Sequence, residues 1–198
     1  HGKEALKTVK LLNKIKIFDW IQSYEKNYSN SLLFVNFDSF LEDEIYGYFS
    51  IVFLKELLND SVIKKFKFSK SDRLAIYSLR KWSKKLKQKS IKNFTEIERF
   101  ELHKDLEMIL PAFIVYLPKK YHSDWLKRWR NKQDKLFHPR NYINGNQLKN
   151  IVGIEDGPLL GDLINYLSQE FAFERLNDFD DAIYKAKGWF QQNAPKCD

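Results

Sequence analysis

The turn-forming residues of this 198-residue chain are concentrated in one stretch, from His138 to Arg175. There His138-Pro139, Ile143-Asn144-Gly145, Val152-Gly153-Ile154 and Gly157-Pro158-Leu159-Leu160-Gly161 follow one another, and they hold four of the chain's seven glycines. Elsewhere glycine and proline are sparse, while 5 Trp, 10 Tyr and 16 Phe supply bulk for packing. This distribution predicts long helices joined through large aromatic side chains, not a turn-rich β-sandwich. Gly157 before Pro158 reads as a turn that opens a helix, since proline at the first helical position lacks only an N–H that has no intrahelical partner. The remaining free N–H groups of such a first turn can hold a phosphate. Glycine-punctuated turns between short helices serve packing as well as binding.

Charge is distributed in blocks. The net charge is +8, yet residues 64–92 carry 12 basic and 1 acidic side chains, and residues 119–140 carry 8 and 2. Two blocks of this kind are the electrostatic footprint of a polyanion-binding surface, although a lysine-rich solvated helix face has the same composition. In the first block Ser69 is placed to cap a helix in which Ala75, Leu79, Trp82 and Leu86 form a buried stripe. Arg73, Tyr77, Arg80, Lys84 and Lys87 recur along another face. They form a row about 20 Å long at 1.5 Å per residue, long enough to follow several phosphates of a duplex. A small acidic metabolite needs only one or two such charges, so the partner implied is a polymer.

The second block begins with Pro118, Lys119, Lys120, Tyr121 and His122. Ser123 is the expected cap of a helix with Trp125, Trp129 and Leu136 on its buried side and Lys127, Arg128 and Arg130 among its cations, ending at His138-Pro139. The two tryptophans sit at core spacing, so packing is their expected role over base stacking. Residues 3–28 and 40–60 have the length and periodicity of helices, and 31–40 is ambiguous. Thr95 and Glu98 make a capping-box pattern for a helix that ends near Pro111. The architecture expected is all-α, with a multi-helix body over residues 1–137 and a compact helical tail over 138–198.

The order of short motifs adds a family likeness. Ile143-Asn144-Gly145, then Gly153-Ile154-x-x-Gly157-Pro158-x-x-Gly161, then Glu170-x-Ala172-Phe173-x-Arg175 and a closing helix, resembles the C-terminal end of bacterial tRNA nucleotidyltransferases, the CCA-adding enzymes and their poly(A) polymerase relatives. Upstream, Glu98-Arg99-Phe100-x-Leu102, Leu110-Pro111-Ala112 and Trp125-Leu126-x-Arg128-Trp129 look like the helical body that precedes this tail. The likeness covers residues 94–192. It implies a region that grips the backbone of tRNA or other structured RNA while a separate head adds nucleotides to the 3′ end. Gly153, Gly157, Pro158 and Gly161 are the best positional match, followed by the basic residues between Trp125 and Arg130. A-form RNA is recognised by shape, phosphates and 2′-hydroxyls, which suits cations spaced along rigid helices.

Nucleotidyl transfer requires carboxylates that hold metal ions and a glycine-rich turn for the triphosphate. In the family these belong to the head, with a Gly-Ser pair and an Asp-x-Asp strand. Mg²⁺ and nucleoside triphosphates are therefore expected only there, and no cofactor is expected in this chain. Asp178-Phe179-Asp180 has the spacing without the context, and an Asp before a helix is ordinarily its cap. His1, His103, His122 and His138 are dispersed without metal-ligand companions. No phosphate loop or nucleophilic triad pattern is present. The expected location is cytoplasmic: Cys197 is the single cysteine, and Asp38, Glu42, Asp43 and Glu44 interrupt the longest apolar candidate for a membrane span. His1-Gly2 at the start reads as an expression remnant or a cut end.

Two rival readings have their own features. Gly153-Ile154-x-x-Gly157-Pro158 also resembles a helix-hairpin-helix turn, which implies a module for duplex DNA from a repair or recombination protein. A helical protein-binding adaptor, its acidic tail docking a basic partner, is the third.

Overall fold

The structure is a computed structural model, described here over residues 39–41, 44, 60, 63 and 68–194. Among these the chain is all-α, with no strand. The helices are α1 (Lys70–Gln88), α2 (Glu96–Leu106), α3 (Leu110–Ile114), α4 (His122–Arg130), α5 (Gly145–Val152), α6 (Pro158–Ala172) and α7 (Phe179–Asn193). Single 3₁₀ turns lie at Ile91–Asn93, Glu107–Ile109 and Lys119–Tyr121. Apart from the few positions just given, the segments 3–28, 31–40 and 40–60 fall outside the described residues, as do His1 and Cys197. No described helix is long and apolar enough to cross a membrane.

Local chemistry sets most helix starts. Ser69 accepts a hydrogen bond from the Asp72 N–H at 3.0 Å and begins α1. Thr95 and Glu98 bond each other's backbone N–H groups ahead of α2, at 3.2 and 2.6 Å. Asn144 and Gln147 do the same for α5, both at 2.9 Å. Asp178 accepts from the Asp181 N–H at 2.9 Å and starts α7. Each cap satisfies N–H groups that have no partner inside the helix.

Three boundaries differ from the sequence reading. Ser123 lies inside α4, which starts at His122 directly after the Lys119–Tyr121 turn. The same helix stops at Arg130 and does not reach Leu136. There Asn131 accepts from the Gln133 N–H and Asp134 from the Phe137 N–H, both at 3.1 Å, so side chains capture backbone donors that a continuing helix would use. Helix α2 ends at Leu106, and Pro111 sits in the first turn of α3, where its missing N–H costs nothing.

The chain divides into two compact units: His1–Asn93 with Asp105–Arg130, and Phe94–Lys104 with Asn131–Asp198. In the first, α3 packs against both α1 and α4. Its core joins Ile76, Leu79 and Trp82 of α1 to Leu110, Phe113 and Ile114 of α3 and Leu126 of α4, all at most 1% exposed. The buried stripe of α1 is thus Ile76, Leu79, Trp82 and Ser83, while Ala75 and Leu86 are only half-buried. Ile76 buries more apolar area than Ala75, about 100° away on the helix, could, and Ser83 tolerates burial because its hydroxyl donates to the Leu79 carbonyl at 2.6 Å.

In the second unit α5, α6 and α7 pack on one another. Leu148 of α5, Leu160, Leu163 and Leu167 of α6, and Ala182 and Ala186 of α7 form its core with Ile143, Ile154 and Leu176. Burial of each leucine contributes about 1.5–3 kcal/mol. The alanines leave room for α7 to lie close against its neighbours.

Candidate nucleic-acid interface

Helix α1 carries seven cations and one carboxylate, Asp72. At 100° per residue Arg73, Tyr77, Arg80, Lys84 and Lys87 lie within a sector of about 80°, next to the buried stripe. Lys84 and Lys87 are exposed; Arg73, Tyr77 and Arg80 are half-buried. Among the described residues Arg73, Tyr77, Lys84 and Lys87 have no side-chain hydrogen bond or ion pair. The charges of Arg73, Lys84 and Lys87 have no internal counter-ion, so the helix maintains a strip of positive potential.

Arg80, in the middle of the row, forms an ion pair with Asp60. Farther round the helix Lys81 donates to Asp105 Oδ2 at 2.8 Å, and the Trp82 indole N–H donates to the same oxygen at 2.8 Å. The ammonium groups of Lys81 and Lys85 stand 4.7 and 5.0 Å from the Trp82 ring centroid. These two lysines cover a buried tryptophan, and the row from Arg73 to Lys87 stays clear of that cluster.

The second basic block is less open. Lys119, Lys120 and Lys127 are exposed and Arg128 is half-buried; the Lys120 ammonium lies 5.4 Å from the Tyr121 ring centroid. Arg130 is bound to Glu44 through Nε and Nη2, both at 2.7 Å. The hydrogen bonds to Glu44 raise the Arg130 pKa, burial opposes them, and the carboxylate charge adds to the rise. Trp129 donates its indole N–H to the Glu107 carbonyl at 2.7 Å, and the Trp125 ring packs 6.4 Å from that of Phe113. Both tryptophans are half-buried, while Leu126 and His122 form the buried side of α4. His122 Nε2 lies 2.9 Å from the Leu117 carbonyl oxygen.

The tail glycines belong to the second unit. Gly153 ends α5 in the left-handed region, φ 72°, and its N–H donates to the Lys149 carbonyl at 2.9 Å. Gly157 precedes α6 in an extended conformation, φ 162°, which any residue adopts, and makes no side-chain cap. A Cβ at Gly157 or Gly161 meets no atom within 4 Å. Only Gly153 is therefore demanded by the backbone, whereas the other two leave an open surface at the start of α6. Pro158 occupies the first helical position and is exposed. Lys149 pairs with the exposed Asp156 at 3.0 Å beside this turn.

The motif Glu170-x-Ala172-Phe173-x-Arg175 builds a staple. Arg175 donates to Glu170 at 2.7 Å and lies 2.5 Å from Glu96; Lys185 donates to Glu170 at 2.8 Å. Burial lowers the Arg175 pKa, but hydrogen bonds to Glu96 and Glu170 outweigh it and the net shift is upward. The guanidinium groups of Arg175 and Arg99 lie 5.3 and 5.9 Å from the Phe173 ring centroid. Glu174, at φ 59°, makes the reversal that turns Arg175 back to Glu170. Asp178 is a helix cap, and no group of three His, Cys, Asp or Glu side chains suited to a metal ion occurs among the described residues.

Sequence reasoning missed Asp60, because nothing in the local pattern around it marks a partner twenty positions on. It likewise missed Glu44 as the partner of Arg130. When the chain is compared with protein-family models, with curated proteins and with solved structures, none matches.

Proposed function

We propose that this chain is an RNA-gripping helical region of the kind found in tRNA nucleotidyltransferase-like proteins, holding the tRNA backbone while nucleotide addition belongs to a head outside it. The observation that carries the reading is the α1 face, where Arg73, Tyr77, Lys84 and Lys87 project along about 20 Å without internal partners. A rigid row of cations on one helix matches a phosphate backbone, and it needs no base-reading groups. Lys119, Lys120, Lys127 and Arg128 supply a second set of cations in the same unit. The open start of α6, with Gly157, Pro158 and Gly161, is the tail's contribution, since unpaired N–H groups at a helix start favour an anion. Mg²⁺ and nucleoside triphosphates would act in the head.

One feature also favours a second reading. Helices α5 and α6 are joined by the short turn from Gly153 to Gly157, the arrangement of a helix-hairpin-helix, which would prefer duplex DNA. Binding of a fluorescent tRNA transcript, with unlabelled tRNA and duplex DNA as competitors, separates the two. With about four to six phosphate contacts, log affinity should fall with log salt at a slope of roughly −3 to −5. Replacing Arg73, Lys84 and Lys87 together by Ala should make the slope shallower by about 2–3 at unchanged helical content. An unchanged slope removes the α1 face from the account, and stronger competition by DNA replaces the first reading with the second.

A further inference from the structure

Within the α1 row one cation is already occupied. Arg80 lies between Tyr77 and Lys84 on the same face, and its guanidinium Nη1 holds a carboxylate oxygen of Asp60. The two partners differ in exposure: the Arg80 side chain is 25% exposed and that of Asp60 67%. The cation is thus anchored in the surface, while the carboxylate stands largely in water.

A carboxylate and a phosphate offer a guanidinium the same thing, an anionic oxygen in the plane of its N–H donors. We infer that Asp60 occupies, in the free protein, the place at Arg80 that an RNA phosphate takes on binding, and so acts as an internal competitor within the proposed interface. The inference rests on the RNA-binding reading of the α1 face. An exposed ion pair of this kind contributes little and is screened by salt, so an incoming anion can displace it. A single free phosphate gains its contact with Arg80 only by displacing Asp60. A polymer held at Arg73, Lys84 and Lys87 presents its next phosphate to Arg80 at high effective concentration, so it displaces Asp60 where a mononucleotide does not. Asp60 thereby lowers affinity for small anions more than for a polyanion and contributes selectivity through an unfavourable element.

A double-mutant cycle on the full chain tests this, using a fluorescent tRNA transcript as the probe and circular dichroism to check that each protein is folded. The set is wild type, Asp60→Asn, Arg80→Ala and the double variant; Asn keeps the shape of the exposed Asp60 side chain. Asp60→Asn should bind about fivefold tighter than wild type in moderate salt, the scale of one exposed charge pair. In the Arg80→Ala background the same change should alter affinity by less than about twofold, because the cation for which Asp60 competes is gone. Equal gain in both backgrounds would show that Asp60 acts only as a repelling surface charge, and the inference falls. No gain in the single variant also overturns it, with the RNA-binding reading left standing. Absence of salt-dependent binding by the wild type and all variants would remove both.

Discussion

The guanidinium of Arg130 and the carboxylate of Glu44 meet in two parallel hydrogen bonds of 2.7 Å across 86 positions of sequence. Glu44 is 7% exposed and also accepts from the Leu41 N–H at 2.9 Å, while Arg130 donates further to the Ser39 carbonyl at 3.1 Å. A cation that the sequence places in a nucleic-acid surface is thus the last residue of α4 and the partner of a buried carboxylate. Planar bidentate geometry of this sort is particular to arginine.

Arg130→Ala should therefore destabilise the protein by about 2 kcal/mol, below the range of about 3–5 for a fully buried pair because Arg130 itself is partly hydrated. Arg130→Lys should recover only part of the loss, since an ammonium cannot span both oxygens. Urea denaturation measures both. A loss under about 0.5 kcal/mol for Arg130→Ala would place the pair among ordinary surface contacts.

Gly153 and Gly157 should respond oppositely to serine. At Gly153 the left-handed backbone makes Gly153→Ser cost about 1–2 kcal/mol. At Gly157 the backbone is extended, the neighbourhood is open and no side chain caps α6, so Gly157→Ser should stabilise by a few tenths of a kcal/mol. Thermal denaturation of the two variants decides it: equal losses would mean that the turn between α5 and α6 tolerates neither side chain.

Glu170 is 12% exposed and neutralises both Arg175 and Lys185. Glu170→Gln keeps its shape, removes its charge and leaves Lys185 without its carboxylate and Arg175 with Glu96, for an expected loss of about 2 kcal/mol. Added salt should narrow the gap to wild type, because the cations are partly exposed. A gap that is independent of salt would assign the loss to hydrogen bonding alone.

Burial, reinforced by the charge of Glu170, raises the pKa of the Tyr166 hydroxyl above its ordinary value of 10.0. Its ring stacks on Trp189 with centroids 6.2 Å apart. With the folded pKa above the unfolded one, the folded state holds the proton more tightly. Stability from this group is full below about pH 10 and is lost as pH rises through the folded value. Tyr166→Phe should weaken that alkaline loss, measured by urea denaturation at rising pH, and an unchanged pH profile would show that Tyr166 ionises as freely in the folded chain.

What could be read from the sequence was local in origin. The all-α character follows from the small number of glycines and prolines beside many large aromatics, and Ser69, the Thr95–Glu98 pair and Asp178 act as caps because such bonds reach only three residues along the chain. The row from Arg73 to Lys87 was legible for the same reason, since helical periodicity alone puts its members on one face. Tertiary structure decided what depends on distant partners. Ile76, not Ala75, is buried in α1; residues 94–104 join the tail's unit; Arg80 meets Asp60 and Arg130 meets Glu44. An arginine in a basic block has the same local pattern whether its guanidinium faces water or a carboxylate. The difference lies in which segments the fold brings together, and long-range packing, not side-chain spacing, determines that.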